Sequence, residues 1–103
     1  MIAAKELSEM RKGAFLVNTS RGGIVNEKDL YEAVKSGHLG GTAMDVSVVE
    51  PMAADNPLRE LDNVIITPHI GMYSIEALGA VSVLCAQNVA AKLTGKELKF
   101  WVV

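Results

Sequence analysis

Three short apolar runs punctuate the chain, and their spacing predicts a parallel sheet. Ala14-Phe15-Leu16-Val17-Asn18 is the first, Gly41-Thr42-Ala43-Met44-Asp45-Val46 the second, and Val64-Ile65-Ile66-Thr67 the third. None alternates apolar with polar residues as a strand with one solvated face would. Each therefore reads as a strand covered on both faces. Between the first two runs, Leu30, Ala33 and Val34 recur at helical spacing. Asn26 suits the N-cap of that helix, and Glu27 and Asp29 suit its positive end. Gly37 suits the residue that closes it. A shorter helix is predicted over residues 3–10, ended by Lys12-Gly13. Residues 47–63 form a connection broken by Pro51 and Pro57, with a helical turn expected at 58–61. Pro68 ends the third strand because it withholds a ladder donor. Ser74 is placed to cap a long helix reaching towards Gly95, with an apolar stripe of Ile75, Leu78, Val81, Cys85, Val89 and Leu93. The tail, residues 98–103, reads as a strand or a docking segment.

The order strand, helix, strand, connection, strand, helix predicts an α/β fold. The expectation is a partial Rossmann-like parallel sheet of about three strands flanked by helices. Open α/β domains usually carry about five strands or more, so residues 1–103 read as part of a larger domain.

Composition narrows the function classes. The chain has 103 residues, half of them hydrophobic, a fifth charged, with net charge −2. That is a globular composition. It gives no electrostatic reason to expect nucleic acid or an anionic membrane as partner. The longest apolar stretch, 75–91, is interrupted by Glu76, Ser82, Gln87 and Asn88 and does not read as a membrane span. A single cysteine, Cys85, allows no intramolecular disulfide. With no signal peptide in view, a reducing, cytoplasmic setting is expected. Cys85 sits in an apolar run and reads as a buried structural thiol. His38 reads as a surface residue, and Met10, Met44, Met52 and Met72 as core fillers.

The candidate chemistry lies just beyond the strands. Arg21 follows the first, Glu50 the second and His69 the third. Ligands of open α/β sheets bind outside the carboxyl ends of the strands, so these side chains are expected to converge. A guanidinium offers a planar, two-point grip on a carboxylate. An imidazole exchanges a proton near neutral pH, and a glutamate beside it favours the protonated form. A carboxylate anchor and a proton donor are what reduction of a 2-keto acid needs, with hydride from a cofactor.

Three motifs carry a resemblance. Asn-Thr-Ser-Arg-Gly at 18–22, Asp-Val-Ser-Val-Val-Glu-Pro at 45–51 and Thr-Pro-His-Ile-Gly at 67–71 resemble, in order and spacing, consecutive signatures of the D-isomer-specific 2-hydroxyacid dehydrogenases. The resemblance implies that residues 1–103 are the C-terminal portion of a Rossmann-type NAD-binding domain. It implies that Arg21 binds the substrate carboxylate, that His69 is the general acid/base and that Glu50 pairs with His69. It gives Asp45 the nicotinamide carboxamide, and it places Thr19, Ser20 and Gly71 near the cofactor through their backbones. The cofactor implied is NAD, with NADP left open, and the partner is a small 2-keto or 2-hydroxy acid. Met72-Tyr73 after the histidine is similar to the lactate and hydroxyisocaproate branches.

Two departures stand out. The chain holds no G-x-G-x-x-G turn and no acidic residue placed for the adenosine ribose: Gly37, Gly40 and Gly41 have the wrong spacing and precede a strand. The substrate domain is also missing. The enzymatic reading is a fragment of an oxidoreductase that is inactive as an isolated chain. The rival readings are a non-catalytic remnant that folds by self-association, with a homo-oligomer expected, and a regulatory relative without direct DNA contact.

Overall fold

The computed structural model describes residues 1–100, and the chain divides into two compact units, Met1–Ile70 and Gly71–Val103. In the first unit, helix α1 (Ala4–Glu9) leads into strand β1 (Phe15–Asn18). A 3-10 turn (Gly22–Ile24) and helix α2 (Glu27–Lys35) lead on to β2 (Gly41–Met44). A second 3-10 turn (Pro57–Glu60) precedes β3 (Val64–Ile66). The three strands form one parallel sheet in the order β1-β2-β3. Asn18, Met44 and Ile66 lie level with one another at its carboxyl edge.

The caps expected from sequence form. The Asn26 side chain accepts from the Asp29 amide and starts α2. Gly37, just past its end, takes φ +72, a conformation in which a side chain would crowd the backbone. Leu7 of α1, Leu30 and Val34 of α2, Leu58 of the second turn, and Leu16 and Met44 of the sheet meet in one core with Val25 and Leu39.

That core lies against one face of the sheet. On β1, Leu16 and Asn18 turn inward while Phe15 and Val17 are 72% and 68% exposed. Ile65 of β3 is exposed as well. The expectation of strands covered on both faces is therefore corrected. Successive side chains of a strand point to opposite faces, and the helices of this unit pack against one face of the sheet.

The second unit carries α3 (Ile75–Leu93), started by the Ser74 hydroxyl accepting from the Ala77 amide. None of its residues is buried, and Ile75, Val89 and Leu93 of the expected stripe are largely exposed. Cys85 is exposed, which corrects its reading as a buried thiol. The helix is apolar around most of its circumference, so the sequence pattern alone did not tell a covered face from a bare one. Residues 98–100 form no strand, and the rest of the expected tail segment, 101–103, lies outside the described residues. No helix among the described residues is long and apolar enough to cross a membrane.

Candidate active site

Because the strands are parallel, the segments that follow them all leave from the carboxyl edge. The first is shaped by Asn18, which is buried at the end of β1. Its side-chain oxygen accepts from the Ser20 amide at 3.1 Å, and its amide nitrogen donates to the Arg21 carbonyl at 3.1 Å. A short polar side chain that bonds the backbone two residues on folds the chain into a turn. Thr19 and Ser20 ride on that turn with exposed side chains. Arg21 is exposed too, and its Nη1 donates to the Ser20 carbonyl at 2.7 Å.

Gly22 joins this segment to the next one. A Cβ at Gly22 would lie 2.1 Å from the Ser47 carbonyl carbon and 2.5 Å from the Val48 nitrogen. Only a residue without a side chain allows the two backbones to pass so closely. The second segment is then tied down by Glu27, at the start of α2. Its carboxylate accepts from the Val48 amide at 2.7 Å and from the Asn56 side chain at 3.0 Å.

The second and third segments meet at two carboxylates. Glu50 Oε2 accepts from His69 Nδ1 at 2.7 Å, and Glu50 Oε1 accepts from the Ser47 amide at 3.1 Å. A carboxylate this close can only accept, so Nδ1 carries the hydrogen when Glu50 is ionised. Both side chains are partly open to solvent, His69 at 40% and Glu50 at 38%. The hydrogen bond from His69 holds the Glu50 carboxyl below its ordinary value. The Ser47 amide and the charges of His69 and Arg21 act in the same direction. The charge of Arg21 thus acts on Glu50.

Asp45, buried to 8% exposure, accepts at Oδ1 from the Thr67 hydroxyl and from the Ile70 amide, the latter at 2.9 Å. Between those two residues His69 adopts φ 56. A residue with a Cβ in that left-handed region costs about 1–3 kcal/mol and persists only where its surroundings hold it.

The structure thus brings Arg21, Glu50 and His69 to one sheet edge, with Asp45, Thr19 and Ser20 beside them. Gly71 follows Ile70 and opens the second unit, in a turn. Sequence reasoning gave Glu27 only a helix-end role and gave Thr67 and Asn18 none. Each acts on groups that are distant in sequence or hidden in a turn. His38, expected at the surface, is half-buried and donates from Nε2 to the Leu7 carbonyl at 3.1 Å. Among the described residues, no three His, Cys, Asp or Glu side chains are grouped as metal ligands.

Comparison with known proteins bears on this arrangement. Residues 1–71 match the family described as D-isomer specific 2-hydroxyacid dehydrogenase, NAD binding domain. The chain is 47% identical over 93 residues to a candidate 2-hydroxyacid dehydrogenase of Haemophilus influenzae, covering 86% of this chain and 30% of that protein. It is 41% identical over 98 residues to the glycerate dehydrogenase of Methylorubrum extorquens, covering 93% of this chain and 31% of that enzyme. A crystal structure of a D-isomer specific 2-hydroxyacid dehydrogenase from Xanthobacter autotrophicus, in complex with NADPH and MES, superposes with a TM-score of 0.84. It is 31% identical in sequence, and the match covers 97% of this chain and 40% of that one. The chain spans under a third of the length of these two curated relatives.

Proposed function

The chain belongs to the D-isomer-specific 2-hydroxyacid dehydrogenase family, and on that premise we propose that it is the C-terminal portion of a Rossmann-type NAD-binding domain that carries the catalytic residues for interconverting a small 2-keto acid and its 2-hydroxy acid. The observation that carries this reading is the 2.7 Å bond between His69 Nδ1 and Glu50 Oε2, at the carboxyl edge of the sheet from which the Arg21 segment also leaves.

Each side chain takes a role from its chemistry. The Arg21 guanidinium binds the substrate carboxylate with two parallel hydrogen bonds and so orients the neighbouring carbonyl. Glu50 holds the His69 ring by Nδ1 and fixes its tautomer, which makes Nε2 the atom that exchanges a proton with the substrate oxygen. In reduction Nε2 gives up that proton as the carbonyl becomes a hydroxyl; in oxidation it takes it back.

The cofactor fits this chain at one end only. The turn at Thr19 and Ser20 and the Asp45 carboxylate are the groups that would hold the nicotinamide of NAD or NADP, which when bound supplies or accepts the hydride. Among the described residues the diphosphate end has no cradle. Such a group rests on amides at a glycine-rich helix start, whereas α2 begins with Glu27 and Asp29, both acidic. The isolated chain should accordingly bind NAD weakly and show no turnover.

A second reading, a self-associating module without turnover, is favoured by the exposed Phe15, Val17 and Ile65 on the bare sheet face. The experiment that separates the readings is nuclear magnetic resonance of the chain titrated with oxamate, an unreactive mimic of a 2-keto acid. The catalytic reading expects shifts confined to the backbone around Arg21 and His69, weakened by Arg21→Lys. No response at these positions, or one that Arg21→Ala leaves unchanged, would count against it.

A further inference from the structure

We propose that Thr67 is a positioning residue, which acts with the Asp45 carboxylate to hold His69 in its left-handed conformation and so aims the ring at Glu50. The inference rests on the proton-exchange role given to His69 above, and it gives that role a built support.

The segment from Thr67 to Ile70 is closed at both ends on one oxygen atom. The Thr67 hydroxyl and the Ile70 amide both donate to Asp45 Oδ1, on either side of His69. Thr67 is fixed a second time by its own amide, which donates to the Met44 carbonyl at 2.9 Å and extends the ladder one residue past β3. The His69 amide donates back to the Thr67 carbonyl at 3.0 Å. Pro68, between them, has a fixed φ. Few backbone arrangements satisfy all these links, and the one adopted sets His69 at φ 56.

The chemistry of the two anchors suits the task. An ionised carboxylate accepts several hydrogen bonds, and those to a charged oxygen are the stronger kind. Asp45 is buried and leaves the end of β2, so it is a firm post for a segment that follows β3. Glu50 leaves the same segment five residues later and takes the ring itself. Backbone and imidazole of one histidine are therefore held from a single neighbouring segment. Without the Thr67 hydroxyl, residue 69 is free to relax to a commoner backbone conformation, which carries the ring away from Glu50.

The test uses the 103-residue chain with carbon-13 glutamate and follows the Glu50 carboxyl resonance against pH. In the wild type Glu50 is expected to titrate below an ordinary glutamate, and His69→Ala should remove most of that lowering. Thr67→Val, similar in shape but without the donor, should remove it to the same degree while amide signals of the core persist. Thr67→Ser should restore it. If His69→Ala abolishes the lowering and Thr67→Val does not, the ring is aimed without Thr67, and the inference fails while the Glu50–His69 pair stands. If His69→Ala changes nothing, the pair itself is absent and both readings fail. Hydrogen exchange at the Ile70 amide gives a check that requires no variant. Protection supports the link to Asp45, and exchange as fast as in an unstructured peptide overturns it.

Discussion

Glu50 is where acid should first be felt at the site. Its carboxyl is held below 4.5 chiefly by the bond from His69. A carboxyl lowered by folding contributes stability that is complete above its unfolded value and is lost as pH falls through the folded one. The Glu50–His69 contact should therefore be intact at neutral pH and loosen only below about 4.5, the reference value. Chemical shifts of the His69 backbone followed through that range check this, and they should move before the core unfolds. The candidate residue types were legible in the sequence, because arginine, glutamate and histidine after three strands suggest one chemistry. Their supports were not. Asn18 acts on backbone groups, which a string of residues does not display, Thr67 meets a carboxylate from another strand end, and Glu27 reaches amide groups far along the chain.

Among the elements, strands and caps were read correctly to within one or two residues, because Asn26, Ser74, Pro68 and Gly37 each carry a local reason to start or stop an element. Burial was read less well. The apolar run of β1 suggested cover on both sides, yet the pleat leaves Phe15 and Val17 bare. Cys85 was assigned to an interior for the same reason, since apolarity reports what could be buried and not what covers it. Two substitutions separate stability from site geometry. Asn26→Ala removes the cap of α2 and should cost about 1 kcal/mol, read as an earlier denaturation midpoint. Gly22→Ala must push residues 21–22 away from Ser47 and Val48, because the new methyl would meet backbone atoms that cannot rotate aside. A cost of about 1–3 kcal/mol is expected. Shifts at Glu50 and His69 should accompany it, whereas Asn26→Ala should leave those two signals in place.

For the whole molecule, the sequence revealed the family through three motifs in register, and it showed the missing glycine turn. Calorimetric titration of the chain with NAD should find weak binding or none, and saturable tight binding would contradict the account. The apolar outer face of the sheet, together with β1 at its edge, favours association. Light scattering should find a dimer or larger species, and Val17→Lys should shift it towards monomer. A wild-type monomer at high concentration would contradict this. The central claim is that His69 of this chain exchanges the substrate proton, and it is tested most directly in a complete enzyme. The chain can replace the matched 98 residues of the Methylorubrum glycerate dehydrogenase, and turnover of a 2-keto acid with reduced cofactor can then be measured with and without His69→Ala. The account predicts that the hybrid turns over and that the variant loses roughly 100-fold or more in kcat, the usual contribution of a positioned acid. An active hybrid whose His69→Ala variant turns over at the same rate would contradict it.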